Sequence, residues 1–126
     1  MHVRSGHIIF NKDTRYIDLL PVYEEVFKKF LEETNQMPEA EPEFLDVLIE
    51  ENLVDLRSNR KPEGYNRSGH MRLIFPLSER VECYVYGRTK SNEVARVTEL
   101  LSGLFRKSGL EHSIEWDRML LYSREK

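Results

Sequence analysis

Residues 67–96 read RSGHMRLIFPLSERVECYVYGRTKSNEVAR, and this stretch decides the fold. Met71, Leu73 and Phe75 alternate with Arg72 and Ile74, so a strand over residues 70–77 places the three apolar side chains on one face. Pro76 has no N–H for a ladder, so the strand ends there or lies near a sheet edge. Ser78, Glu79 and Arg80 turn the chain. Val81, Cys83 and Val85 then alternate with Glu82, Tyr84 and Tyr86, which predicts a second strand. Gly87, Arg88, Thr89 and Lys90 form a basic turn, Ser91 offers an N-cap, and Glu93 stands in the first turn of a helix. Val94, Val97, Leu101, Leu104 and Phe105 mark the apolar face of that helix; Arg106, Lys107 and Gly109 suit its C-terminal end.

Upstream, HIIFN (7–11) is a short apolar run that reads as a first strand. Asp13 or Thr14 offers an N-cap, and Tyr16, Leu20, Tyr23, Phe27 and Leu31 share one helical face. Pro21 means that this helix either kinks or begins there, with Pro21 in its first turn. Residues 34–43, with Pro38 and Pro42, form a connector. A second helix is expected from Glu43 to about Asn52, making a helical hairpin with the first. LVDLR (53–57) alternates apolar and polar residues and reads as a strand, or equally as an extension of that helix. Residues 58–69 are a long basic loop. Residues 112–124 read as a last strand, anchored by Trp116 and Tyr122; this tail completes the sheet, pairs with another protomer or covers a site.

The resulting order is β-α-α-β-β-β-α-β. The expected fold is α+β: one domain, a mostly antiparallel sheet, and the helical hairpin and last helix packed on one side of it. One short echo exists, Arg4-Ser5-Gly6-His7 against Arg67-Ser68-Gly69-His70, each before an apolar run ending in Ile-Phe.

Composition narrows the function. A single cysteine, Cys83, excludes a disulfide within the chain and suggests a reducing compartment; on the apolar face of its strand it reads as a buried, inert thiol. No run approaches the ~20 apolar residues of a membrane span, and the N-terminus shows no signal-peptide pattern, so a soluble, cytoplasmic protein is expected. The four histidines and Cys83 lack metal-ligand spacing, no Gly-rich phosphate loop is present, and no elbow motif supports a serine nucleophile, so neither metal nor cofactor is expected. A winged-helix reader of duplex DNA is disfavoured, because its recognition helix would carry Glu43, Asp46, Glu50 and Glu51 against the phosphates.

The net charge of −3 hides a segregation. Residues 24–55 carry eleven acids against Lys28 and Lys29, whereas residues 57–107 carry eleven Lys or Arg against five Glu. A basic face is therefore compatible with an acidic chain. Arg72 lies on the polar side of its strand, Arg88 and Lys90 follow the neighbouring strand, and Arg67 precedes the first. Guanidiniums on a sheet face grip a phosphate backbone and stabilise charge at a scissile phosphate, while Tyr65, Tyr84, Tyr86 and His70 supply stacking or proton transfer.

The stretch SGHMRLIFPLSERVECYVYGRTKSNEV resembles the C-terminal half of RelE/ParE-like toxins: a strand with Arg-Leu-Ile-Phe, a turn, an apolar strand, a Gly-basic-polar turn and a Ser-Glu-Val-type helix start. The element order from His7 to Phe105 is similar in outline. The resemblance implies a protein that engages RNA or the ribosome and is neutralised by an antitoxin, with metal-independent ribonuclease activity in the RelE branch and gyrase poisoning in the ParE-like branch. It implies that Arg72 and Arg88 are catalytic, Arg72 matching the strand arginine that contacts the scissile phosphate and Arg88 the basic residue after the last meander strand, and that Arg67 matches a basic residue before the strand. His70, Tyr86, Arg67 and Lys90 are the expected substrate-binding set. Ala95 stands where RelE-branch nucleases carry a helix tyrosine, and the segment after Gly109 is additional. The alternative is a non-catalytic, immunity- or antitoxin-like inhibitor that masks a basic protein partner with acidic residues 24–55, Glu43, Asp46, Glu50 and Glu51 foremost.

Overall fold

The computed structural model describes residues 3–89 and 92–118. Its elements are β1 (Ser5–Phe10), a 3-10 turn (Tyr16–Leu19), α1 (Leu20–Glu33), α2 (Pro42–Arg57), β2 (Met71–Ile74), β3 (Glu82–Gly87), α3 (Glu93–Lys107) and β4 (His112–Trp116). The fold is α+β, as expected. Its four strands form one sheet in the order β2-β3-β1-β4, and every neighbouring pair is antiparallel.

Each boundary has a local cause. Pro21 sits in the first turn of α1, where its missing N–H costs nothing, so the helix begins there and a 3-10 turn carries the chain into it. The Asp18 carboxylate accepts from the Arg15 N–H at 2.8 Å to close that turn; neither Asp13 nor Thr14 caps it. Residues 53–57 continue α2. Leu53 and Leu56 each lie one helical turn beyond Ile49 and Asn52 respectively, so the helical period runs through them, and Leu56 is fully buried. Of the two readings these residues allowed, the helical extension is the one found, and the segment before β2 contributes an isolated bridge between Tyr65 and Leu73. β2 stops at Ile74, just before Pro76 would interrupt the ladder. At the start of α3 the N-cap position is Asn92; Ser91, read as the cap, lies outside the described residues. β4 ends at Trp116, because Asp117 turns the chain with φ +52°. It pairs with β1, so this part of the tail completes the sheet; residues 119–126 lie outside the described set.

The buried apolar side chains form one cluster on one side of the sheet. Ile8 and Phe10 of β1, Met71 and Leu73 of β2, and Cys83 and Val85 of β3 meet Val22, Tyr23, Val26, Phe27, Phe30 and Leu31 of α1, and Val94, Val97, Leu101 and Phe105 of α3. α3 approaches β1 closely at Gly6, where an added Cβ would collide with Thr98. Among the described residues all three helices lie on this side, and the opposite face of the sheet carries no helix.

Candidate functional site

The pleat sends alternate residues to the helix-free face. From β1 these are Ser5, His7 and Ile9; from β3, Glu82, Tyr84 and Tyr86; from β2, Arg72 and Ile74. The register sets them in rows. Arg72 pairs with Tyr86 and Tyr86 with Ser5; Ile74 pairs with Tyr84, Tyr84 with His7, and His7 with Glu115 of β4.

The first row holds the expected cationic cluster. Arg88 Nε donates to the Tyr86 hydroxyl at 3.1 Å, and Arg72 Nη1 donates to Asn66 Oδ1 at 3.1 Å. Arg88 is thus bonded to the Tyr86 phenol, and Arg72 stands opposite Tyr86 on the neighbouring strand, on the same face. Arg88 is exposed and Arg72 and Tyr86 are half-buried, so all three remain open to a ligand.

The other basic residues are placed differently. Arg67 turns to α2, its guanidinium carbon 4.9 Å from the centroid of the Phe44 ring. His70 is exposed just before β2, near Glu93 of α3, whose carboxyl is held below the usual range by its Arg96 hydrogen bond, with His70 the smallest contributor. Lys90 lies outside the described residues. Arg96 is committed elsewhere: it bridges Glu93 at 2.6 Å and Glu33 of α1 at 2.7 Å, tying α3 to α1. Tyr65 packs on Phe27 and Phe30 in the core rather than facing the cluster. The sequence-derived set therefore resolves into Arg72, Tyr86 and Arg88 together, with Arg67 and His70 apart from them.

Beside this cluster lies a buried polar chain that the sequence pattern alone did not reveal. The Ser5 hydroxyl is 2.9 Å from His7 Nε2, and His7 Nδ1 is 3.3 Å from Glu82 Oε2. A carboxylate only accepts, so Nδ1 directs an N–H at Glu82; in the neutral form of the ring Nε2 is then the acceptor facing the Ser5 hydroxyl. Glu82 also accepts from Ser78 Oγ at 3.3 Å and from Arg118 at 3.2 Å, and the Tyr84 ring stacks on His7 with centroids 4.6 Å apart. His7 and Glu82 are each 1% exposed, whereas Ser5, at 9%, is the outermost member. The one available signal was Ser-x-His on a strand, since residues two apart share a face.

The acidic residues of the alternative reading lie on α2. Glu43, Asp46, Glu50 and Glu51 are all exposed, Glu50 pairing with Arg57 at 3.0 Å. Exposed Phe44, Val47 and Val54 run along the same helix at a spacing that puts them on one face. Cys83 is buried, and burial pushes its thiol well above the ordinary range, as expected of an inert cysteine. Among the described residues no cluster of three or more His, Cys, Asp or Glu is arranged to hold a metal ion, and no helix is long and apolar enough to cross a membrane.

Set beside protein-family models, curated proteins and solved structures, the chain matches none of them.

Proposed function

We propose that this protein engages single-stranded RNA in the cytoplasm through the helix-free face of its sheet, as the resemblance to RelE/ParE-like toxins implies, and that it is held in check by an antitoxin-like protein partner. The observation that carries this reading is the Arg72–Tyr86–Arg88 cluster, two guanidiniums and one phenol on a face that no described helix covers. Guanidiniums bind phosphate bidentately, and an aromatic ring beside them stacks on a base without demanding a particular sequence. Phosphodiester cleavage is the corresponding reaction, with Arg72 and Arg88 stabilising charge at the scissile phosphate.

The test is binding of an unstructured RNA oligonucleotide across a salt series. The wild-type chain binds at low salt, and removal of one cation from the phosphates makes the slope of log affinity against log salt shallower by about 0.7. The double variant Arg72→Ala, Arg88→Ala loses affinity and about two such increments of slope. Absence of RNA affinity at low salt, together with harmless expression, overturns the reading.

A second reading rests on α2. Its exposed Phe44, Val47 and Val54, bordered by Glu43, Asp46, Glu50 and Glu51, suit a basic amphipathic partner. Charge reversal at Glu50 and Glu51 abolishes binding to such a partner if this is the working surface, and leaves RNA affinity intact.

A further inference from the structure

We infer that Ser5, His7 and Glu82 form a nucleophilic relay whose outer end, Ser5 Oγ, attacks the phosphorus of a phosphodiester held by Arg72 and Arg88. For its substrate this rests on the RNA reading above.

Three observations lead there. The chain Glu82–His7–Ser5 is continuous, at 3.3 and 2.9 Å, and a neutral imidazole with its proton on Nδ1 toward Glu82 turns an acceptor nitrogen to the hydroxyl. It is graded in burial, with His7 and Glu82 at 1% exposure and Ser5, the outermost residue of the three, at 9%. And Ser5 shares a row with the cations, pairing with Tyr86, which in turn pairs with Arg72. Neighbouring strands are about 4.8 Å apart, so Arg72 and Ser5 stand roughly 10 Å apart across the row, within reach of an extended arginine and a phosphate between them. A sheet face does not need such a chain for stability. Burying an imidazole and a carboxyl group is costly, and Ile9 and Ile74 on the same face show that it accepts apolar residues.

The reaction balances without a further reagent. Ser5 Oγ forms a bond to phosphorus as the bond to the leaving oxygen breaks; the hydroxyl proton moves to His7 Nε2 and then to the leaving oxygen. Water, deprotonated by the same nitrogen, attacks the phosphoserine, and Ser5 regains the proton as it leaves. One water is consumed, and a phosphomonoester and an alcohol are released. Ser5 and His7 are catalytic residues here. Glu82 is a positioning residue that fixes the imidazole tautomer, as Ser78 and Arg118 fix Glu82.

The test uses the full chain at neutral pH with a fluorophosphonate, a phosphorus electrophile with no base or sugar, followed by peptide mapping. The expected result is an adduct on Ser5, absent in Ser5→Ala. His7→Gln slows labelling about 10²-fold or more, within the usual range for a general base. Glu82→Gln slows it and shifts the pH–rate profile, and Glu82→Asp restores part of the rate. No adduct on Ser5 in a chain that circular dichroism shows folded overturns the proposal, as does equal labelling of His7→Gln. Should the His7 variant fail to fold, the Ser5→Ala and Glu82→Asp comparison decides. Because the probe is not a nucleic acid, labelling without RNA affinity sinks the RNA reading alone, and RNA affinity without labelling sinks the relay alone.

Discussion

The Tyr23 hydroxyl donates to Asn52 Oδ1 at 2.7 Å, joining α1 to α2 inside the core. The same oxygen accepts from the Gly64 N–H at 2.7 Å, and Asn52 Nδ2 donates to the Leu48 carbonyl at 2.8 Å. One amide thus holds two helices and the loop that leads to β2. Asn52→Ala orphans the buried Tyr23 hydroxyl and the Gly64 N–H, at about 1–3 kcal/mol for each group left unsatisfied, so a loss of about 2–6 kcal/mol is expected in urea unfolding. Tyr23→Phe leaves Asn52 Oδ1 with its Gly64 donor and costs about 1 kcal/mol. Equal losses from the two variants would contradict this hub.

Gly6 lies where α3 crosses β1, and a Cβ there runs into the Thr98 side chain, which is itself bonded to the Val94 carbonyl at 2.7 Å. Gly6→Ala is therefore expected to destabilise by about 1–3 kcal/mol, the usual range for overpacking a tight contact. Thr98→Ala on the same background recovers part of the loss, and thermal unfolding of the two chains measures it. A Gly6→Ala chain as stable as the parent would show that α3 does not seat as described.

His112 donates through Nδ1 to the Leu110 carbonyl at 2.8 Å, while Nε2 accepts from the Ser102 hydroxyl at 2.6 Å. Burial pulls its pKa below the ordinary 6.5; the Leu110 bond opposes the shift and nearby Arg106 adds to it. The unfolded chain therefore takes up this proton at a higher pH than the folded one. Stability falls as pH drops from about 6.5 toward the folded value, and the loss from this group is complete below it. Imidazole NMR should place the His112 midpoint below 6.5, and a midpoint at or above 6.5 would refute the assignment.

Arg72→Ala and Arg88→Ala should leave the unfolding midpoint nearly unchanged, because their hydrogen bonds are solvent-exposed. Arg96→Ala, which removes bridges to Glu33 and Glu93 at the surface, should cost no more than about 1 kcal/mol. If either of the first two unfolds the chain, a loss of RNA affinity on its substitution says nothing about phosphate contact.

Thiol titration provides the last check. Native Cys83 should react with a thiol reagent only as fast as the chain opens, since burial both shields the sulfur and disfavours the thiolate. Rapid modification of the native chain would place β3 at the surface.

The strands and helices were legible wherever the apolar period was unambiguous. Val81, Cys83 and Val85 alternate and Val94, Val97, Leu101 and Phe105 do not, so β3 and α3 could be read directly. Residues 53–57 could not be settled the same way: LVDLR fits a two-residue period over five positions, and only the longer run from Leu45 to Leu56 reveals the helical one. Of the site, Arg72, Tyr86 and Arg88 were accessible because they belong to one hairpin, whose register follows from a local pattern. Arg67 was not, because its partner Phe44 lies on another element.

By itself the sequence determined the α+β class, the hairpin, the amphipathic helix after it and the cationic turn between them, because each follows from periodicities and caps that act within a few residues. Only the tertiary structure decided that β1 inserts between β3 and β4, that α2 runs to Arg57, and that Ser5 and His7 meet Glu82. His7 and Glu82 are 75 residues apart, and nothing local in a chain encodes a contact at that separation. It exists because strand pairing buries both polar groups on one face, where each supplies a hydrogen-bonding partner to the other.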